Sequence, residues 1–401
     1  MLRIVTSVLA LTLSIGAFAQ DTSKIMFYNL LQFPNQSPKR INELKTIVHE
    51  VKPDVFMVCE LSSNEGSVTI LTQALNTNGI SYYQRASYFD DGAMNNMLYY
   101  NTRKYRLMGQ DTIASEPRFA TVYELLYKPA LEQGDSIVNT FIIVHLKAGN
   151  SDAAERTTAA RKIRWHIDQE TNGENIFLAG DFNIYSPTEG AFTTFTEKGK
   201  HPLTDPIDQI GEWSNDDYYA RVHTQSTRTT SFGGGSTGGM DDRFDWILTS
   251  QDLEKGDNQV QYVFGSYKAF GNDGQHFNTA INIGTNQAVS SEIADALHAM
   301  SDHLPVVMEV SYSYVNSVDE VTVQEPIIYS TNHSISITGV GANTIHSASL
   351  YDINGREIFK NENGKVSKME VSLPQAPGIY LVKVETAGNV FVKKLIISYL
   401  P

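Results

Sequence analysis

The chain has 401 residues, of which 41% are hydrophobic and 19% charged, and a formal net charge of −14. This length exceeds what one hydrophobic core usually supports, and the composition excludes wholesale disorder. The negative charge excludes a protein that coats nucleic acid through its bulk field; it resides upstream of residue 320, because seven acidic and seven basic residues cancel from there to the end.

Residues 1–20 read as a secretory signal peptide: Arg3, an apolar run from Ile4 to Phe18, and small residues at Ala17 and Ala19 before Asp21. The run is too short to span a membrane, and no other segment approaches roughly 20 apolar residues, so a soluble exported protein is expected. The single cysteine, Cys59, can form no internal disulfide and lies in an apolar stretch, which suits a core position.

Ile25 to Leu30 reads as a strand. Ser37 to Val51 reads as a helix with Ile41, Leu44, Ile47 and Val48 on one face. Val55 to Cys59 is a second strand and Val68 to Asn76 a second helix. Met97–Tyr100, Thr121–Leu126, Ser136–Val144, Ile176–Ala179, Phe244–Leu248 and Val306–Val310 read as further strands. A helix is expected over 153–169, with Arg161 and Arg164 solvated. Thr227 to Asp242 is a glycine-rich loop without the Lys-Ser/Thr ending of a phosphate-binding loop. The mixture implies layered α/β architecture with mixed sheets. Near residue 312 the character changes to short strands with turns at Asn354-Gly355, Asn363-Gly364, Pro377-Gly378 and Ala387-Gly388, as in a small β-sandwich. The expected units are therefore 21–315 and 316–401, with the boundary inside Ser311–Glu325.

Polar residues recur at the ends of the apolar runs, where sheet-based sites collect. Asn29 follows Ile25–Tyr28, Glu60 follows Val55–Cys59, and His145 follows Phe141–Val144. Asp181 and Asn183 follow Ile176–Gly180, with Gly180 read as permitting a tight turn. Asp245 opens one strand, and Asp302 and His303 precede another. Each alone has a structural explanation as a cap, a turn residue or a satisfied strand-end histidine. Together they form the inventory for a hard divalent cation, an oriented water and a proton donor. A phosphodiester, already an anion, needs that inventory for in-line attack.

The order Asn29, Glu60, His145, Gly180-Asp181-Phe182-Asn183, Asp242-Arg243-Phe244-Asp245, Ser301-Asp302-His303 resembles the endonuclease/exonuclease/phosphatase superfamily over about residues 24–312. The resemblance implies a four-layer α/β/β/α sandwich. It implies Mg²⁺ or Mn²⁺ at Glu60, with Asn29 beside it and Asp302 assisting, and Ca²⁺ as an optional structural ion. It further implies Asp181 as activator of water, Asn183 as a phosphate contact, His303 as principal catalytic histidine oriented by Asp245, and His145 as second histidine. Arg118 and Lys147 are weaker candidates for phosphate contact, and a loop role is expected for His276. The segment Leu350–Ile358, Pro377–Val384 and Lys393–Ile397 resembles the C-terminal sorting domain of type IX secretion in Bacteroidetes, which implies passage through the periplasm to a secreted or cell-surface location.

The expected function is a secreted, monomeric, metal-dependent nuclease acting on DNA or RNA. A phosphodiesterase or phosphatase on a lipid head group or inositol phosphate shares the same core. It would need an exposed aromatic hairpin, for which Tyr82-Tyr83 and Tyr218-Tyr219 are candidates, or a Lys/Arg-dense pocket. A non-catalytic adhesin would not need the carboxylates and histidines, and a glycosidase would leave both histidines idle.

Overall fold

The computed structural model describes residues 21–35, 40–92, 94–231, 233–314, 326–330, 334–339, 344–362, 364–372, 377–386 and 390–397. The expected signal peptide and the Ala387-Gly388 turn lie outside them, as do Asn363 and the expected helix start at Ser37. The described residues divide into two compact units, one within 21–314 and one within 326–397.

Among its described residues the larger unit has thirteen strands: β1 Asp21–Phe33, β2 Val55–Leu61, β3 Tyr83–Arg85, β4 Asn95–Asn101, β5 Tyr105–Ala114, β6 Phe119–Tyr127, β7 Val138–His145, β8 Ile176–Asp181, β9 Leu203–Thr204, β10 Asp245–Ser250, β11 Val260–Tyr262, β12 Lys268–Ala269 and β13 Val306–Tyr312. One sheet runs β11-β13-β1-β2-β4-β3, with β12 also on β13; the other runs β5-β6-β7-β8-β10-β9. Both are mixed: β1 pairs parallel with β2 and antiparallel with β13, while β7 pairs parallel with β8 and β8 antiparallel with β10.

Strand alternation builds four layers. Along β7, Phe141 and Ile143 enter the core shared with the first sheet, while Ile142 and Val144 face the helix Ala153–Glu170. Phe177 and Ala179 of β8 oppose Ile176 and Leu178 in the same way. With both faces covered, each strand reads as a continuous apolar run. The helices Ile41–Val51 and Ser291–Met300 cover the outer face of the first sheet, burying Leu44, Ile47, Val48, Ile293 and Leu297. The result is an α/β/β/α sandwich.

The second helix starts earlier than its apolar periodicity suggests. The Ser63 side chain accepts a hydrogen bond from Gly66 N, so the cap sets the start at Asn64, and the helix continues through a π segment to Leu75. Gly180 lies inside β8, not in a turn. A Cβ there would stand 2.2 Å from Val144 O, so glycine serves the close approach of β7. Arg164 is buried and ion-paired with Asp168 at 3.1 Å, which corrects its solvated reading.

The C-terminal unit holds β14 Ile327–Ser330, β15 Ser334–Thr338, β16 Ile345–Asp352, β17 Glu357–Asn361, β18 Lys368–Ser372, β19 Gly378–Thr386 and β20 Val390–Ile397. They form sheets β14-β15-β18 and β17-β16-β19-β20 around Ile335, Ile337, Leu350, Val382 and Val384. The Asn354-Gly355 turn joins β16 to β17, with Gly355 at φ 79° and the Asp352 carboxylate accepting from Asn354 N and Arg356 N.

Candidate active site

The strand ends that meet at one edge of the sandwich are irregular where the site lies. Pairing of β1 with β2 shifts register between Asn29 and Phe33, with Leu31 and Gln32 at φ 47° and 51°. Pairing of β2 with β4 shifts between Val58 and Leu61, with Glu60 at φ 55°. Left-handed backbone at non-glycine residues is costly, and bulges of this kind re-aim side chains beside active sites. Here they turn Glu60 toward Asn29. Asn29 Nδ2 donates to Glu60 Oε1 and to Asp181 Oδ2, both at 3.0 Å, while its oxygen accepts from Leu31 N at 3.0 Å. Gln32 N donates to the other Glu60 oxygen at 3.1 Å.

The second sheet supplies a lateral row. His145 of β7 is in register with Asp181 of β8, and Asp181 with Asp245 of β10. His145 Nε2 lies 3.7 Å from Asp181 Oδ2 and 3.8 Å from Glu60 Oε1. His303 Nδ1 bonds Asp245 Oδ2 at 2.7 Å, and its Nε2 stands 3.7 Å from Asp181 Oδ2. Two overlapping groups of potential metal ligands result, Glu60–His145–Asp181 and Asp181–Asp245–His303. Asn183, at φ 51°, donates its backbone N–H to Asp181 Oδ1 at 3.1 Å and its amide to Leu146 O. Asp181 therefore presents Oδ2 to the centre.

Burial makes this electrostatically tense. Burial pushes the Asp181 carboxyl up to about 7, with Asp245 and Glu60 adding to the rise and His303 opposing it. Burial also raises Glu60 against its bond from Asn29. Burial disfavours the His303 imidazolium, yet the carboxylates of Asp245, Asp302 and Asp181 together hold its pKa well above the ordinary histidine value. Burial, then the charges of Arg118 and His303, push His145 well below that value. The two histidines are thus driven apart in proton affinity, the pattern that separates acid from base roles.

The remaining candidates lie outside these two groups. Asp302 Oδ2 accepts from Ser236 N at 2.6 Å, in the glycine-rich loop, and its Oδ1 is buried without a partner. Arg118 donates to the carbonyls of His145 and Leu146 at 3.1 and 3.2 Å, so its guanidinium braces the end of β7. Lys147 Nζ donates to Ala148 O and lies 3.6 Å from Asp152. His276 is buried between Asp273 Oδ1 and Ile283 O, a loop-structuring place. Tyr83 is in the core, whereas Tyr218 is 80% exposed.

Residues to which the sequence assigns no role also hold the site. Ser301 Oγ donates to Asn29 O at 2.7 Å and accepts from His303 N, tying β1 to the segment before β13. Thr224 Oγ1 accepts from Asp245 N. Gln225 places its carboxamide nitrogen 2.6 Å from His303 Nε2. Isolated bridges from Gln225 to Asp242 and to His303 put it there, and such bridges leave no periodic trace in sequence.

The profile of the Endonuclease/Exonuclease/phosphatase family matches residues 26–303, and that of a domain family of unknown function matches residues 316–398. No curated protein matches the chain. Solved structures similar to it include D. rerio TDP2 complexed with single strand DNA product, at 14% identity and TM-score 0.49, covering 72% of this chain and 99% of that one. The catalytic domain of human Nocturnin with bound sulfate anion is 15% identical, with TM-score 0.46 and coverage of 74% and 98%. The mannosyl-6-phosphatase of Bacteroides thetaiotaomicron is 14% identical, with TM-score 0.46 and coverage of 72% and 99%.

Proposed function

Since residues 26–303 make the chain a member of the endonuclease/exonuclease/phosphatase family, we propose that it is an exported, metal-dependent phosphoesterase that cuts the phosphodiester bonds of nucleic acid. The observation that carries this is the meeting of Glu60, Asp181, His145 and the Asp245–His303 pair at one strand edge.

The donor set fits a hard divalent cation. Two carboxylates with raised proton affinity converge on one buried amide, an arrangement a cation relieves. Glu60 and Asp181 would hold Mg²⁺ or Mn²⁺, with His145 at the margin and Asn29 alongside. When bound, the cation neutralises charge that builds on the phosphoryl oxygens. In this reading Asp181 positions the attacking water, whose proton leaves to solvent. Asn183, held against β7, steadies a non-bridging oxygen. His303, charged and oriented by Asp245, gives a proton to the leaving oxygen. Neutral His145 offers a further hydrogen bond to phosphate.

Metal affinity should follow the Asp181 proton. Its folded pKa of about 7 lies above the ordinary 3.8, so below neutrality the cation must displace a proton. The rise in melting temperature produced by Mg²⁺ or Mn²⁺ is expected to be larger at about pH 8 than at about pH 5.5. Equal shifts at both pH values would sink the assignment of Asp181 as a ligand.

The functional test is hydrolysis by the full chain with Mg²⁺ or Mn²⁺, offering plasmid DNA, structured RNA, sphingomyelin and inositol phosphates in parallel, with Asp181→Ala as control. Nicking of DNA or RNA that disappears in EDTA and in the control is the expected result. Turnover of lipid or small phosphates alone would move the substrate to the second reading, which the exposed Tyr218 favours. Silence on all substrates would overturn catalysis.

For residues 1–20 and 316–401 we propose export, the second segment as a type IX sorting unit. Its support is the order of segments in β16 to β20. Secretion of a chain lacking 316–401 to the same extent as the full chain would refute it.

A further inference from the structure

His303 spends one ring nitrogen on Asp245, which leaves Nε2 for chemistry. Three groups face Nε2: Asp181 Oδ2 at 3.7 Å, Asn29 Nδ2 at 3.4 Å and the Gln225 carboxamide nitrogen at 2.6 Å. Gln225 is the nearest, and it also stands 3.5 Å from Asp302 Oδ2. A phosphoryl group that exchanges a proton with His303 must approach Nε2, and so must meet Gln225.

The backbone gives Gln225 little freedom. Its N–H donates to Asp242 O at 3.1 Å, and its carbonyl accepts from both Asp241 N and Asp242 N at 2.9 Å. On either side, Leu304 N donates to Thr224 O at 2.7 Å and Thr227 N to Asp302 O at 3.1 Å. Gln225 is thus stitched both to the segment that leads into Asp245 and to the segment that carries His303. Its side chain is half-buried, whereas His303, Asp181 and Asp302 are fully buried, so it lies on the open side of the centre.

A carboxamide suits that place. Its N–H donates to a bare ring nitrogen, and after a half turn its oxygen accepts from a protonated one, so it serves both states of His303. It carries no charge, so it neither repels an incoming phosphate, as a carboxylate would, nor disfavours the imidazolium, as a lysine would. We infer that Gln225 is a further substrate-contacting residue. It occupies Nε2 of His303 in the free enzyme and releases it when substrate enters, after which its N–H holds a non-bridging oxygen of the scissile phosphate. This inference rests on the phosphoesterase reading above.

The test uses the full chain and its Gln225→Ala, Gln225→Asn and Gln225→Glu variants with Mg²⁺. The substrates are bis(p-nitrophenyl) phosphate and the phosphorothioate ester in which sulfur replaces a non-bridging oxygen. Sulfur accepts hydrogen bonds poorly, so loss of a donor penalises the oxygen ester more. Gln225→Ala is expected to lose roughly 10²-fold on the oxygen ester, in kcat rather than KM, and to lose clearly less on the thio ester. Gln225→Asn, which keeps a donor on a shorter arm, should fall between wild type and alanine. Gln225→Glu, which fills the same space without the N–H, should lose at least as much as alanine and carries the comparison should Gln225→Ala fail to fold. Wild-type kcat in folded Gln225→Ala, or equal losses on both esters, overturns the inference while leaving the phosphoesterase reading intact. A wild-type chain that hydrolyses neither of these esters nor the natural phosphoesters removes that reading and this one with it.

Discussion

Replacing His303 by asparagine is expected to lower phosphodiester hydrolysis by roughly 10²–10⁴-fold while leaving the fold in place. His303 is 3% exposed, and its Nδ1 bonds at 2.7 Å an Asp245 that is itself fully buried. Alanine would abandon that carboxylate, whose other oxygen already has no partner, at a cost of about 1–3 kcal/mol. Asparagine keeps an N–H near the position of Nδ1 and so spares Asp245, but it offers no titrating nitrogen at the position of Nε2. Both variants should therefore be equally inactive, with the alanine variant alone showing a clearly lower melting temperature. The pH dependence sharpens the test. The pKa of His303 is raised, so the imidazolium persists through neutrality and is lost only as pH rises through that elevated value. In the wild type this loss forms an alkaline limb in kcat; in His303→Asn that limb should vanish. Near-wild-type turnover in His303→Asn would remove the proposed proton donor.

What was legible in the sequence follows from what each residue has to do. The strands that build the centre were visible because both faces of each sheet are covered, so Phe141–Val144 and Ile176–Ala179 are apolar throughout. The polar residues at either end of such runs are visible for the same reason: a change of character marks the sheet edge. That places Asn29, Glu60, His145, Asp181, Asn183, Asp245 and His303 at strand ends, and the structure brings them together. β5 left no such signal, because it is an edge strand whose Arg106, Gln110 and Asp111 are partly or fully exposed. The helix Ser291–Met300, capped by Ser290 and burying Ile293 and Leu297, is absent from the elements expected from the sequence, although its cap and apolar spacing are present there. Asp302 shows the limit of adjacency. It neighbours His303 in sequence, yet its carboxylate turns to Ser236 in the glycine-rich loop. Arg118 and Gln225 act through carbonyls and isolated bridges, which obey no period.

The motif Asp242-Arg243-Phe244-Asp245 contains a second element of large effect, one that concerns stability. The Arg243 guanidinium donates to both oxygens of Asp205, at 2.8 and 2.9 Å, and to Gln209 O at 2.9 Å. It lies 3.5 Å over the Trp246 ring, and the two side chains of the ion pair are 1% and 0% exposed. Burial disfavours this cation, and the Asp205 carboxylate more than compensates, leaving the arginine pKa raised. Such a pair adds little relative to a well-packed apolar replacement, but losing one partner strands the other charge. Arg243→Met is therefore expected to destabilise the larger unit by about 3–5 kcal/mol, and Arg243→Met with Asp205→Leu to recover most of that. All three tryptophans, Trp165, Trp213 and Trp246, belong to this unit, so urea unfolding followed by tryptophan fluorescence isolates it from the C-terminal sheets. Activity should fall in parallel, because Arg243 sits two residues before Asp245 on the segment that aims His303. An unchanged unfolding midpoint in Arg243→Met would mean that water reaches Asp205 and that the entry to β10 is held by its apolar neighbours, Trp246 and Leu248, instead.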